Sequence, residues 1–466
     1  MSNQDVRPVA RFELAARFAV CCSLVLVLAA GLANATVDSV TIDSSKPFEK
    51  VSGYTYVEAT MHGTVERADG TVGEYAVPLV LIYPADGGNG VGVVDWPNTA
   101  YYWATGHEDL DEWQTVEFTR RSTDGYLFEA GYTYASVLWS KEVAELFADV
   151  PPGEDPNHLA RGSIERGTDA WEILRDAARF LRDPNAFEGG DGPLPVDTVL
   201  SSGFSQTAAM QNELLVRGAN LDDGVPVYDG HLLQVTGLVC FEPNDEPPFY
   251  GTDGPCADVP AGHQDSPVIV VTTQTDAKIL GAAFLRNEDD PNWRQYELAG
   301  VSHLPAPISP GLSDVQNPVD PRPVVRAAFR NLALWATKET AAPPSKFIEA
   351  TIGEEGEFTP TLDADGNAVG GLRLPHLARI IDGEVAGAPL GTYTGLNPAD
   401  PEDILLLISG TFTPFADEEL AERYPDHETY VSRVTRAADH LLDGGYILEQ
   451  DRDAYVAEAE QSSIGE

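Results

Sequence analysis

Val196-Asp197-Thr198-Val199-Leu200-Ser201-Ser202-Gly203-Phe204-Ser205-Gln206-Thr207-Ala208-Ala209-Met210 is the stretch on which the reading of this chain turns. A short β-branched and apolar run ends at Gly203, and a helix-forming run over 208–216 begins just after Ser205. That is a strand, a sharp turn and a helix, with a serine at the apex. Such a turn strains its central residue, so the positions two away on either side must be small. Gly203 meets the demand, whereas Thr207 is β-branched and meets it poorly. The turn lifts the serine hydroxyl clear of the sheet and aims the Gln206 backbone N–H at a developing oxyanion.

The flanking segments supply a sheet for this turn. Residues 36–85 alternate between apolar and polar, with turn pairs between the runs, as in an antiparallel entry to a sheet. Residues 91–96 read as a buried central strand and 132–139 as another. Thr168 or Asp169 caps a helix that aligns Trp171, Leu174, Ala178 and Leu181 on one face. Strands follow at 232–241 and 267–271, then a helical run over 324–338. Strands alternating with helices predict an α/β fold whose mainly parallel central sheet is flanked by helices. Pro343-Pro344 marks a soft boundary between a catalytic core, 36–342, and a C-terminal extension, 343–466, with helical runs at 428–442 and 451–460. Asp363-Ala364-Asp365-Gly366-Asn367 misplaces the glycine of a calcium loop and has Leu374 where a bidentate glutamate belongs, so it reads as a turn.

A serine nucleophile needs a base to take its proton and an acid to orient that base. An open α/β sheet offers such groups at the carboxyl ends of its strands. Asp276 lies just past the 267–271 strand, in Thr272-Thr273-Gln274-Thr275-Asp276, and His303 ends Glu297-Leu298-Ala299-Gly300-Val301-Ser302-His303. Ser205, Asp276 and His303 thus stand in the serine–acid–histidine order of this sheet type. His263 precedes the acid and breaks the order, and His376 lies in the extension without an acid-bearing context. The second oxyanion donor is expected from the backbone after the 91–95 strand, at Trp96, Asn98 or Thr99, since Pro97 has no N–H. Tyr101, Tyr102 and Trp103 crowd the same loop. They either line an apolar substrate pocket or bury under the adjoining helix.

The N-terminus reads as a signal peptide over residues 1–35: Arg7, Arg11 and Arg17 precede an apolar run over 18–32, and Ala33-Asn34-Ala35 is a cleavage site. A retained anchor is the alternative, although the apolar run is short for a membrane span. Export would leave Cys240 and Cys256, expected to form one disulfide. The formal net charge of −45 opposes binding to nucleic acid or anionic membranes, which need basic patches. It is compatible with a high-salt habitat or simply with an acidic secreted protein. No spacing of Cys, His or acidic residues calls for a metal or an organic cofactor.

Several of these stretches resemble a family of large exported α/β-hydrolase-domain proteins. Its strand N-G-x-V-V-V-E-W-x-N is matched by Asn89-Gly90-Val91-Gly92-Val93-Val94-Asp95-Trp96-Pro97-Asn98, and its elbow G-x-S-Q-S-G by Gly203-Phe204-Ser205-Gln206-Thr207-Ala208. Its T-x-T-D matches Thr273-Gln274-Thr275-Asp276, its A-G-x-x-H matches Ala299-Gly300-Val301-Ser302-His303, and its tail motif G-N-x-x-G-G-x-R-L-P matches 366–375. The chain departs at Thr207-Ala208, and at Gln274 where the family often has glutamate. The resemblance implies an α/β-hydrolase fold with the extension packed on the same domain, and it leaves the substrate open. The expectation is an exported serine hydrolase of a small carboxylic ester, acting through an acyl-enzyme and not inserted in a membrane once the signal is removed. A catalytically idle hydrolase-fold binding protein, or an amide or lactone hydrolase on the same triad, is the alternative.

Overall fold

Alternation in the N-terminal segment produces three long strands, β1 (Ala35–Pro47), β2 (Tyr54–Glu66) and β3 (Val72–Pro84), paired antiparallel in sequence. The computed structural model describes residues 35–67, 70–97, 118–137, 139, 163–164, 169–188, 192–237, 264–353, 357–377, 380–381, 384–385, 387–399 and 401–466. Cys240, Cys256, Asn98, Tyr101, Tyr102, Trp103 and residues 1–34 lie outside these residues.

The chain then builds β4 (Val91–Trp96), β5 (Thr133–Val137), helix α1 (Ala170–Arg182), β6 (Thr198–Phe204), helix α2 (Gln206–Val216) and β7 (Gly230–Gln234). It continues through β8 (Val268–Thr273), the short helix α3 (Gln274–Ile279), β9 (Trp293–Leu298) and helix α4 (Arg322–Lys338). Across the sheet the order is β9-β8-β7-β6-β4-β5-β3-β2-β1. Every pairing from β5 to β9 is parallel, and β3 joins β5 antiparallel. The elbow strand β6 therefore sits between β4 and β7 near the centre of the sheet.

Neighbouring residues on a strand face opposite sides, and the core divides accordingly. Leu200, Leu232 and Ile269 pack with Val324, Phe329 and Leu332 of α4 on one face. Val199, Leu233 and Val270 pack on the other with Ile173 and Phe180 of α1 and Met210 and Leu214 of α2. Both faces are covered, so β8 opens with an unbroken apolar run (VIVV), while the buried polar residues of the other parallel strands, such as Ser201, His231 and Glu297, are held by hydrogen bonds.

The extension adds a hairpin, β10 (Gly391–Thr394) with β11 (Thr411–Pro414), and two helices, α5 (His427–Asp443) and α6 (Glu449–Gln461). Tyr430, Val434, Ala438 and Leu441 of α5 and Tyr455 of α6 enter the same core as α4. Arg326 of α4 donates to Asp451 at 2.9 and 2.5 Å, and Asn331 Nδ2 to the Gly445 carbonyl at 2.9 Å.

Two local expectations need correction. Asp169 stands at the N-cap of α1 without capping it; both carboxylate oxygens instead accept from Arg67, at 2.9 and 2.7 Å. The strand expected over 232–241 stops at Gln234, because Val235 takes φ +47° and turns the chain out of the ladder. The 363–367 segment is a turn as read, and its carboxylates hold arginines: Asp363 pairs with Arg373, and Asp365 with Arg423 at 2.6 Å. Among the described residues no helix is long and apolar enough to cross a membrane.

Candidate active site

Ser205 follows the last residue of β6 with φ 55° and ψ −110°, a conformation that a non-glycine residue adopts only under constraint. The constraint is visible on both sides. A Cβ on Gly203 would stand 2.8 Å from the Thr207 carbonyl carbon and 2.9 Å from the Ala208 nitrogen, so this position takes glycine. Thr207, which looked too bulky, is accommodated by its hydroxyl. Oγ1 accepts from the Phe204 N–H at 3.0 Å and donates to the Phe204 carbonyl at 3.2 Å. The branched side chain clips the turn instead of crowding it. The Ser205 N–H donates to the Gln234 carbonyl at 2.9 Å, which ties the elbow to β7.

Asp276 takes part in a helix cap and still has capacity left over. Thr273 is the N-cap of α3, and Asp276 is the third helical residue of a reciprocal capping box. Asp276 Oδ2 accepts from the Thr273 N–H at 2.7 Å and from its hydroxyl at 2.8 Å. That leaves Oδ1 to meet His303 Nδ1 at 2.6 Å. His303 Nε2 lies 2.9 Å from Ser205 Oγ. Ser205 is half-buried, while Asp276 and His303 are buried. The three residues named from the sequence thus form one hydrogen-bonded chain.

The loop bearing His303 leaves β9 through Gly300, at φ +69°, where a Cβ would lie 2.2 Å from Leu377 Cδ2. Gln274, the residue that departs from the resembling family, holds this loop. Its Oε1 accepts from the Gly300 N–H at 2.8 Å and its own N–H donates to the Val301 carbonyl at 3.1 Å. The Phe204 ring meets the His303 ring edge-on, with centroids 5.8 Å apart. A cavity of about 10 Å³, enough for roughly one water, borders His303 between Phe204, Val235, Leu298 and Ile308.

Gln206 opens α2, so its amide lies at the positive end of that helix's backbone dipole. Trp96 ends β4 opposite Gly203, but its indole is fully buried, with its ring centroid 6.0 Å from that of Tyr228. Its backbone lies beside the elbow through its pairing with Gly203. The other residues expected to complete the oxyanion hole and the pocket fall outside the described part of the chain. Among the described residues no group of three or more His, Cys, Asp or Glu is arranged to hold a metal.

Sequence reading missed a second serine–histidine pair. Ser201 Oγ and His231 Nδ1 lie 2.7 Å apart across β6 and β7, both fully buried. His231 Nε2 has no hydrogen-bond partner among the described residues. Burial pushes the imidazole down to about 3, so it stays neutral across the physiological range.

A family described as "Alpha/beta hydrolase domain" matches residues 51–457. No curated protein matches the chain. Among solved structures, a glucuronoyl esterase from Teredinibacter turnerae is similar at 12% identity and TM-score 0.29, over 52% of this chain and 62% of that one. The rice cell wall degrading esterase LipA from Xanthomonas oryzae is similar at 10% identity and TM-score 0.31, over 56% and 90%. An acetyl xylan esterase from a Thermoanaerobacterium species is similar at 11% identity and TM-score 0.29, over 55% and 80%. Likenesses this distant carry no substrate across. The chain spans less than two thirds of the glucuronoyl esterase's length.

Proposed function

The chain belongs to the alpha/beta hydrolase domain family, and we propose that it is an exported serine hydrolase that cleaves a small carboxylic ester through an acyl-enzyme. The observation that supports this reading is the hydrogen-bonded chain from half-buried Ser205 through His303 to Asp276, at 2.9 and 2.6 Å. His303 Nε2 takes the Ser205 hydroxyl proton as Oγ attacks the ester carbonyl carbon. Asp276, whose other oxygen is occupied by Thr273, holds Nδ1–H and steadies the imidazolium. Negative charge on the former carbonyl oxygen is met by the Gln206 amide at the start of α2 and by a second amide after β4. Collapse of the tetrahedral intermediate breaks the bond to the alcohol oxygen, which receives the proton from His303. Water then attacks the acyl-enzyme by the same route, giving the acid and free Ser205.

A β-branched Thr207 in the turn would favour an idle scaffold, and the hydroxyl clip to Phe204 removes that objection. The test is turnover of p-nitrophenyl acetate. Ser205→Ala should lose at least three orders of magnitude in kcat with a melting temperature close to that of the unsubstituted protein. A Ser205→Ala protein that still hydrolyses the ester at the original rate would end the proposal.

A further inference from the structure

The sheet alone does not hold the loops that carry the acid and the base. Thr275, fully buried, directly precedes Asp276 in α3. Its hydroxyl accepts from the His303 backbone N–H at 3.1 Å and donates to the carbonyl of Gly395, which lies in the extension just after β10. A hydroxyl has one proton to give, and here it goes to the extension while an oxygen lone pair receives the histidine's own amide. The approach is close enough to require glycine opposite: a Cβ on Gly395 would stand 2.8 Å from the Thr275 nitrogen.

The same part of the extension grips the histidine loop elsewhere. Asn317 Nδ2 donates to both the Gly300 carbonyl, at 2.7 Å, and the Thr394 carbonyl, at 2.9 Å. The Leu304 N–H donates to the Ile408 carbonyl at 3.1 Å. Gly410, at φ +66°, comes so close that a Cβ would lie 2.7 Å from Ser302 Cβ. Ile408 and Gly410 are therefore seated against the residues on either side of His303.

We propose that Thr275 is the positioning residue through which the C-terminal extension holds His303 in line with Asp276 and Ser205. Asp276 grips the imidazole at Nδ1 and Thr275 grips the backbone of the same residue, so acid and base are tied at two points. One tie leaves the ring free to pivot about the carboxylate; two set both its place and its direction. Alignment of this kind matters because a displacement of about 1 Å can cost on the order of 100-fold in rate. The inference rests on the serine-hydrolase reading above.

The test compares Thr275→Val, Thr275→Ser and Gly395→Ala on p-nitrophenyl acetate well below their melting temperatures. Thr275→Val keeps the shape and removes the hydroxyl; it should lose about 10- to 100-fold in kcat with KM nearly unchanged. Thr275→Ser restores the hydroxyl and should restore kcat. Gly395→Ala, which pushes from the extension's side, should repeat the kcat loss even where Thr275→Val fails to fold. Tyr54→Phe removes a buried 3.1 Å bond to the Tyr132 carbonyl, on β2 at the other side of the sheet from β8 and β9, and controls for lost stability alone. A folded Thr275→Val or Gly395→Ala protein with unaltered kcat would overturn the inference, as would an equal kcat loss in Tyr54→Phe. Absence of ester hydrolysis in the unsubstituted protein would instead overturn the functional reading on which it rests.

Discussion

Strand β6 and the turn that ends it present two serines that each face a histidine, and the two pairs differ in almost everything but residue type. Ser201 and His231 are 2.7 Å apart and fully buried, in regular strand backbone. Ser205 and His303 are 2.9 Å apart, with the serine half-buried at the apex of a turn and a carboxylate behind the histidine. The first pair ties the Ser201 hydroxyl to His231 Nδ1 inside the sheet, with no carboxylate behind it among the described residues. The second has what a nucleophile needs: access, an oriented base and a backbone that presents the hydroxyl at the strand end. A short serine–histidine distance is therefore poor evidence of catalysis, and the acid together with the backbone conformation decides.

The sharpest way to break that contrast is to take the acid away. Asp276→Asn should lower kcat by about four orders of magnitude, because the amide no longer holds the histidine in its working tautomer. The expected check is steady-state hydrolysis of p-nitrophenyl acetate alongside circular dichroism, which should report an intact fold. Near-full activity in Asp276→Asn would mean that the carboxylate is not what separates the two pairs.

A smaller effect is expected at the turn. Thr207→Val keeps the volume and removes the two hydrogen bonds of the clip to Phe204. The loss should be about 1–3 kcal/mol of stability, read from urea unfolding, and Thr207→Ser should recover most of it. A Thr207→Val protein as stable as the parent would mean that steric fit, not the hydroxyl, lets threonine occupy the place of a small residue.

The buried pair should matter for stability and not for turnover. His231 binds a proton at about 3 in the folded chain and near 6.5 when unfolded. Between those values the unfolded chain holds the extra proton. This group's contribution is therefore complete above about pH 6.5 and declines as pH falls toward 3. His231→Gln should flatten the fall in unfolding free energy between pH 7 and pH 4 while leaving kcat at pH 7 within about twofold. An unchanged slope would remove His231 as a source of acid lability, and a large loss of kcat would join it to the reacting groups.

The elbow was legible because everything that makes it lies within a few residues: apolar strand, Gly203, serine, helix. Asp276 and His303 were legible for a related reason, since each closes a segment that follows an apolar strand and their order suits the sheet. What the sequence did not reveal acts across long separations. The Thr275 hydroxyl meets Gly395, and Asn317 joins Gly300 to Thr394, through contacts that no local pattern encodes. Thr207 was misjudged because propensity counts a branched side chain as bulk and does not see the bond its hydroxyl makes. Asp169 was misjudged because a distant arginine, Arg67, competes successfully for a carboxylate at a helix start.

Covalent labelling puts both pairs to the same question in one experiment. A fluorophosphonate reacts with a serine whose hydroxyl is activated by a base and open to solvent, so mass-spectrometric mapping of the labelled protein reports directly on access and activation. The account predicts a single adduct on Ser205, none on Ser201, and loss of labelling in His303→Ala. An adduct on another serine with Ser205 unmodified, or labelling of Ser205 that persists at full rate without His303, would contradict it.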